Sequence, residues 1–226
     1  MDTRASSSRR QGRPRDGDVS DRILAEAREV YAERGWSGFN FDVVAKRARV
    51  SKDALYRRYS SRAELLVAVM ASVTAIHTRE DALEDTATLR EYLIAVAHDY
   101  FAMYTAANGF DFLRLRIEAP RNNDLLEAFH DGASLPQIRR ARGIVRSAIS
   151  MGVVADVSAG TSLLDALVGG VMMHVLATPP SLFPRMLATS TAYIAGLVDL
   201  LLRGAGYRED ESVLLRDYVQ HPGRNE

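Results

Sequence analysis

From Val19 to Arg203 the apolar residues recur at spacings of three and four, and no apolar–polar alternation persists beyond a few positions. A period near 3.6 buries one stripe of a helix, whereas a half-buried strand needs a period of two. The chain is therefore predicted to be all-α. The first stripe is Ile23, Leu24, Ala27, Val30 and Tyr31, opened by Asp18 or Ser20 and closed at Gly35. Three short helices follow: Asn40 caps Phe41–Ala48, Ser51 caps Lys52–Tyr59, and Ser61 with Glu64 forms a capping box that opens a longer helix through Ile76. A second capping box, Thr88 and Glu91, starts a helix over 89–105 that is apolar nearly all round and belongs in the middle of a bundle. Further helices are expected near 110–118, 123–130, 135–150, 162–177, 184–203 and 209–219, and no internal repeat is visible. In all, roughly nine or ten helices are expected.

Composition removes several alternatives. Cysteine is absent, which excludes a disulfide scaffold, thiolate metal sites, iron–sulfur clusters and thiol catalysis. Five histidines form no H-E-x-x-H pair, and there is no P-loop and no G-x-S-x-G. Neither a metal nor a cofactor is expected, and a helical enzyme is the weaker alternative. No apolar run follows Met1, and stretches such as 163–177 are broken by Asp165 and His174. They fall short of the ~20 residues that span a bilayer. A cytoplasmic protein with no membrane partner is expected.

Formal net charge is zero, but it is unevenly placed. Residues 1–62 hold fifteen Lys and Arg against nine Asp and Glu, a net of +6; the remainder holds fourteen against twenty, a net of −6. Such asymmetry points to an end that faces nucleic acid. Residues 1–18 carry Arg9, Arg10, Arg13 and Arg15 around Gly12 and Pro14, with almost nothing apolar, and are expected to form a disordered basic arm. That arm either enters a narrow minor groove or merely solubilises the chain.

Between Phe41 and Ser60 the spacing is that of a helix–turn–helix. Small Ala45 lets the two helices approach, Val44, Ala48, Val50 and Leu55 share a core, and Arg49-Val50-Ser51 is the turn. Helices of about eight residues are not stable alone, so 19–66 should fold as one unit with 67–226 as a second domain. With Leu55 and Tyr59 facing inward, Lys52, Asp53, Tyr56 and Arg57 form one outward stripe suited to the major groove of double-stranded DNA. Lys52, Asp53 and Arg57 are the candidate base readers. Asn40, Arg49, Ser51, Tyr56, Arg58, Ser61 and Arg62 complete the candidate DNA-binding set. Arg58 and Arg62 are expected on phosphates, and Arg62→Ala to lower the salt slope by about 1 per subunit.

The segment GWSGFNFDVVAKRARVSKDALYRRYSSRAELLVAVM resembles the DNA-binding region of tetracycline-repressor (TetR) family regulators. The resemblance rests on Val44-Ala45, Val50-Ser51-Lys52, Leu55-Tyr56, Tyr59, Ser61-Arg62 and Leu65-Leu66, and covers roughly residues 20–66. Three positions depart from the family pattern: Arg49 and Asp53 where glycine is usual, and Asp42 where a basic or polar contact is common. The resemblance implies a three-helix N-terminal DNA-binding domain joined to a larger helical ligand-binding and dimerisation domain. It implies a homodimeric repressor released from a palindromic operator by a small molecule; an activator or a ligand-independent regulator of the same fold is the alternative. It also implies a dimer face on the last two long helices, with Leu163, Leu167, Gly170, Val171, Ile194, Leu197, Val198 and Leu201 as candidates. For the ligand pocket it implies Tyr100, Phe101, Met103, Tyr104, Phe110 and Met173, with His77, His174 and Arg114 as polar anchors. Ligand would act by shifting the long helix that begins at residue 61.

Overall fold

A computed structural model describes residues 16–74, 87–106, 109–131, 135–156, 158–208 and 213–220. The described residues fold into α-helices joined by turns and two short 3₁₀ segments, with one isolated antiparallel bridge between Val154 and Tyr207. The chain divides into two compact units between Val69 and Met70.

The first unit opens with α1 (Asp16–Gly38), which is interrupted at Gly35, where φ 63° and ψ −171° take the backbone out of the helix. Only glycine reaches that region without strain. The interruption turns Trp36 and Phe39 back onto the inner face of α1, where Phe39 meets Tyr31 edge-on at 6.0 Å and both rings are fully buried. Next come α2 (Phe41–Ala48), α3 (Lys52–Tyr56) and α4 (Arg62–Thr74), the last running past the division. Ile23, Ala27, Val30, Val44, Ala48, Leu55, Leu65 and Leu66 make the core. Arg22 donates to the Ala48 carbonyl (2.9 Å) at the end of α2, and Arg47 bonds Glu26 (3.2 Å) and Glu33 (2.7 Å) of α1. Helices this short hold because neighbours satisfy their ends.

Arg49 ends α2 in the left-handed conformation, φ 54° and ψ 46°, and the Val50 N–H closes back on the Ala45 carbonyl at 3.0 Å. Its Cβ crowds the following carbonyl, at a cost of roughly 1 kcal/mol for a residue other than glycine. Arg49→Gly is therefore expected to raise the stability of the first unit by up to about 1 kcal/mol in a urea melt. A loss of stability instead would mean that the arginine side chain itself holds the turn.

In the second unit, α5 (Leu89–Thr105) packs against α6 (Gly109–Glu118), α9 (Ala159–Ala177) and α10 (Phe183–Gly204). It buries Leu89, Tyr92, Leu93, Val96, Phe101 and Tyr104, which agrees with its all-round apolar sequence. Its start is the expected capping box: the Glu91 N–H donates to Thr88 Oγ1 (3.3 Å) and the Thr88 N–H to Glu91 Oε2 (2.8 Å). Between them run α7 (Asn123–Asp131) and α8 (Leu135–Ser150), and α11 (Leu215–Gln220) closes on α8. Arg90 grips Asp199 with two nitrogens, at 2.6 and 3.1 Å, and this ties α5 to α10. The hydrogen bonds from Arg90 hold the Asp199 carboxyl below its usual range. Several starts differ from expectation. α1 begins at Asp16, so residues 16–18 are helical rather than part of the expected 1–18 arm, and residues 1–15 of that arm lie outside the described residues. α11 begins at Leu215 rather than near 209, with the Leu214 N–H donating to the Asp217 carboxylate at 2.8 Å. α9 begins at Ala159 rather than near Ser162, because the Asp156 carboxylate accepts the Ser158 N–H (2.8 Å) and hydroxyl (2.7 Å) and sets the turn earlier.

Candidate nucleic-acid interface

The turn residues lay α3 across α2. Ser51 caps α3 by accepting the Ala54 N–H at 3.2 Å, and Asn40 caps α2 by accepting the Val43 N–H at 3.0 Å. Ala54 and Leu55 are buried, which leaves Lys52, Asp53, Tyr56 and Arg57 exposed along one side. This is the stripe expected from spacing. The helix itself is shorter than the eight residues expected. It spans Lys52–Tyr56 and then tightens, with Arg58 and Tyr59 N–H groups both donating to the Leu55 carbonyl at 2.9 Å. Tyr59 is consequently half-buried rather than a core residue, and desolvation raises its phenol above the ordinary value.

The start of α2, the exposed side of α3 and the start of α4 enclose a recess of about 280 Å³, lined by Asn40, Phe41, Asp42, Lys52, Tyr56, Ser60, Ser61 and Arg62. Tyr56 stands 55% exposed, with its ring edge-on to Phe41 at 4.8 Å, so its hydroxyl projects on a fixed support. Lys52 Nζ reaches Asp42 Oδ1 at 2.8 Å and lies 6.0 Å from the Tyr56 ring centre. The hydrogen bond to Asp42 raises the Lys52 ammonium above its ordinary value. Ser61 accepts the Glu64 N–H (3.1 Å), whereas Glu64 reaches past it to the Ser60 N–H and hydroxyl, both 2.6 Å. Those bonds from Ser60 lower the Glu64 carboxyl. The capping box thus closes on Ser60, one residue earlier than the spacing implied.

Two expected phosphate contacts are engaged elsewhere. Arg62 lays its guanidinium over the Trp36 ring, 4.0 Å from the centroid, and donates from Nη1 to the carbonyls of Trp36 (3.3 Å) and Phe39 (3.2 Å). The Trp36 carbonyl also accepts the Phe39 N–H at 3.3 Å, so Arg62 adds a charged donor where α1 ends. Arg58 Nη1 folds back on the Ala54 carbonyl at 3.0 Å. Asn40, Arg49, Ser51, Asp53, Arg57 and Ser61 all lie exposed, as expected of candidate contacts. Phe41 and Trp36 were not singled out in the sequence as part of the site, and Asp42 was noted only as a departure at a position where a basic or polar contact is common. Asp42 sits ten positions before Lys52, and only the crossing of α2 and α3 brings the two together.

In the second unit the expected sets separate. Of the dimer candidates, Leu163, Leu167, Val171, Ile194 and Val198 are buried within the chain, packed where α9 and α10 meet each other and α5. A Cβ on Gly170 would stand 3.0 Å from Leu197 of the same chain, so that glycine serves internal packing, while Leu197 and Leu201 are only part-buried. Of the ligand candidates, Phe101 and Tyr104 are buried, Tyr100 and Met103 part-buried, and Phe110 and Met173 stand 55% exposed on the surface. Arg114 pairs with Glu118 at 3.1 Å. His174 stacks on Tyr193 at 3.7 Å, and Tyr193 donates to the Gly170 carbonyl (3.2 Å). His77 lies outside the described residues. Burial raises the Tyr104 phenol, and the neighbouring positive charge of Arg116 opposes that rise. No group of three or more metal-ligating side chains occurs among the described residues.

A family model described as "Bacterial regulatory proteins, tetR family" matches residues 23–69, and one described as "Tetracyclin repressor-like, C-terminal domain" matches residues 83–200. The uncharacterized HTH-type transcriptional regulator YdeS of Bacillus subtilis (strain 168) is 24% identical over 169 residues, which is 75% of this chain and 84% of YdeS. The HTH-type transcriptional activator FasR of Mycolicibacterium smegmatis is 35% identical over 100 residues, 43% of this chain and 45% of FasR. A crystal structure of a transcriptional regulator from Rhodococcus sp. Rha1 superposes with a TM-score of 0.57 at 22% identity, covering 84% of this chain and 99% of that one.

Proposed function

The chain belongs to the tetR family of bacterial regulatory proteins and is a DNA-binding transcriptional regulator, and from that premise we propose that it is a homodimeric repressor that a small molecule releases from a palindromic operator. The observation that carries the DNA side is the common face of three elements: exposed Lys52, Tyr56 and Arg57 on a helix thin enough for the major groove, beside a recess bordered by Asn40, Ser60 and Ser61. Asn40, Ser61 and the Tyr56 hydroxyl seat backbone phosphates; Lys52, Asp53 and Arg57 meet base edges. One five-residue helix reads too few base pairs for a useful site, and two copies reading successive major grooves read enough.

The homodimer is supported by α9 and α10. The Ala159–Ala177 and Pro180–Gly204 segments each hold a long, strongly apolar stretch, yet only 33% and 22% of those stretches are buried within one chain. Met173, Leu176, Leu187 and Leu200 are each about half exposed or more. Gly169 and Gly196 have open space where a Cβ would stand. We assign the dimer face to this outer side. Glycine inside a helix costs about 1 kcal/mol relative to alanine, and close approach of a second copy gives the two glycines a purpose. Ligand binding is supported by Tyr104, whose buried phenol lies beside Arg116 and 6.1 Å from the Tyr100 ring, the pairing of a few polar groups with apolar surroundings that a small-molecule site uses.

The test is a footprint of the purified protein on the promoter beside its own gene, repeated against a compound library. Protection of two half-sites about 34 Å apart is expected, together with a compound that weakens it. Operator DNA must then weaken that compound's binding by the same factor. Affinity indifferent to sequence, or a site that no compound moves, would overturn the proposal. Arg57→Ala is expected to cost about 1–3 kcal/mol on the best site and little on random duplex. The similarity to FasR, an activator by name, favours a second reading in which the bound dimer recruits transcription. Deleting the gene would then lower, not raise, expression from the footprinted promoter.

A further inference from the structure

The one cation of α3 aligned with the recess is not presented freely. Lys52 Nζ sits between both oxygens of Asp42, at 2.8 and 3.0 Å, and the Asp42 side chain is itself 73% exposed on the same face. A pair this exposed adds little to fold stability. Its effect falls on the DNA, because non-specific affinity comes from cations that neutralise phosphates and release counterions. A carboxylate bound to such a cation cancels its charge and adds repulsion toward any phosphate that approaches. The other arginines near the recess do not replace it: Arg62 is stacked on Trp36, and Arg58 is folded on Ala54. Arg57 projects from the far end of α3, beyond the recess lining.

We propose that Asp42 is a specificity-determining residue, which holds Lys52 away from backbone phosphates so that the ammonium is given up only where a correctly placed base acceptor competes for it. The inference rests on the DNA-binding surface assigned above. On random duplex no base edge rewards the exchange, and the pair stays closed. On the preferred site the Lys52 contact replaces it. The gap between specific and non-specific binding is thereby widened by suppressing the non-specific side.

The experiment compares the full-length wild type with Asp42→Asn on a random duplex and on the footprinted site, each across a salt series. Asn keeps the shape and removes the charge. Expected for Asp42→Asn is roughly tenfold tighter binding to random duplex near 0.1 M salt, with a log–log salt slope steeper by about 1 per subunit. A smaller gain is expected on the preferred site, so the ratio between the two falls. Asp42→Glu should restore wild-type values. Unchanged affinity and slope on random duplex would overturn the inference. A loss confined to the preferred site would overturn it too, since Asp42 would then be reading a base directly. If the wild type itself binds no duplex at low salt, the DNA surface and this inference fall together; if only the Asp42→Asn contrast is missing, the surface stands.

Discussion

Gly196→Arg is expected to leave each chain folded and to weaken operator binding by at least a hundredfold. A Cβ at Gly196 meets nothing within 4 Å of its own chain. The position lies inside the 22-residue helix α10, where replacing glycine favours the helix by up to about 1 kcal/mol. The monomer therefore has no reason to lose stability. A second copy packed on the same outer face would meet a long charged side chain twice across a two-fold axis. Once the heads separate, the second contact with DNA is no longer intramolecular, and linkage of two binding modules is typically worth 10²–10⁴ in avidity. Sedimentation should give the monomer mass, and a gel shift the lost affinity, with far-UV dichroism unchanged. A dimeric Gly196→Arg with wild-type affinity would place the interface on another surface.

Arg62→Ala is expected to act on the fold before it acts on DNA. The substitution removes the cation over Trp36 and the donor to the carbonyls of Trp36 and Phe39. A desolvated cation–π contact contributes about 1–2 kcal/mol, and a hydrogen bond from a charged donor about 1.5–3. Since the site is only part-buried, a net loss of roughly 2–3 kcal/mol from the first unit is expected, with Arg62→Lys recovering part of it. The measurement is a urea melt followed by Trp36, the only tryptophan in the chain. The salt slope of DNA binding, taken where the variant is still folded, should stay close to wild type. An unchanged melt with a slope lower by about 1 per subunit would restore the phosphate role that the sequence suggested.

The contrast between Arg62 and Arg57 indicates how far local pattern reaches. Both are arginines beside a short helix, and spacing placed both at the DNA face. Arg57 follows α3 on its exposed side, and a helical wheel suffices to say so. Arg62 is turned away by Trp36, which lies 26 positions earlier and faces it only because Gly35 breaks α1. Similar logic separates the dimer candidates. Apolar periodicity identified α9 and α10 and their lengths, but each helix has more than one apolar side. Which side faces α5 and which remains open depended on the packing, and the two adjacent glycines fell to opposite fates: Gly170 against Leu197, Gly169 against open space.

By itself the sequence determined what short-range physics encodes. Period fixes helix as the element, capping side chains such as Ser51 and Thr88 fix where helices start, and the Leu55 register fixes which side of α3 meets water. These depend on neighbours within a turn or two, so the order of residues carries them. Only the tertiary structure decided the pairings across long separations: Lys52 with Asp42, Arg62 with Trp36, Arg90 with Asp199, and the inward turn of Leu167 and Ile194. Charges and apolar faces are interchangeable along a sequence, and which of them meet is settled by how whole helices pack, a property of the closed core rather than of any local segment.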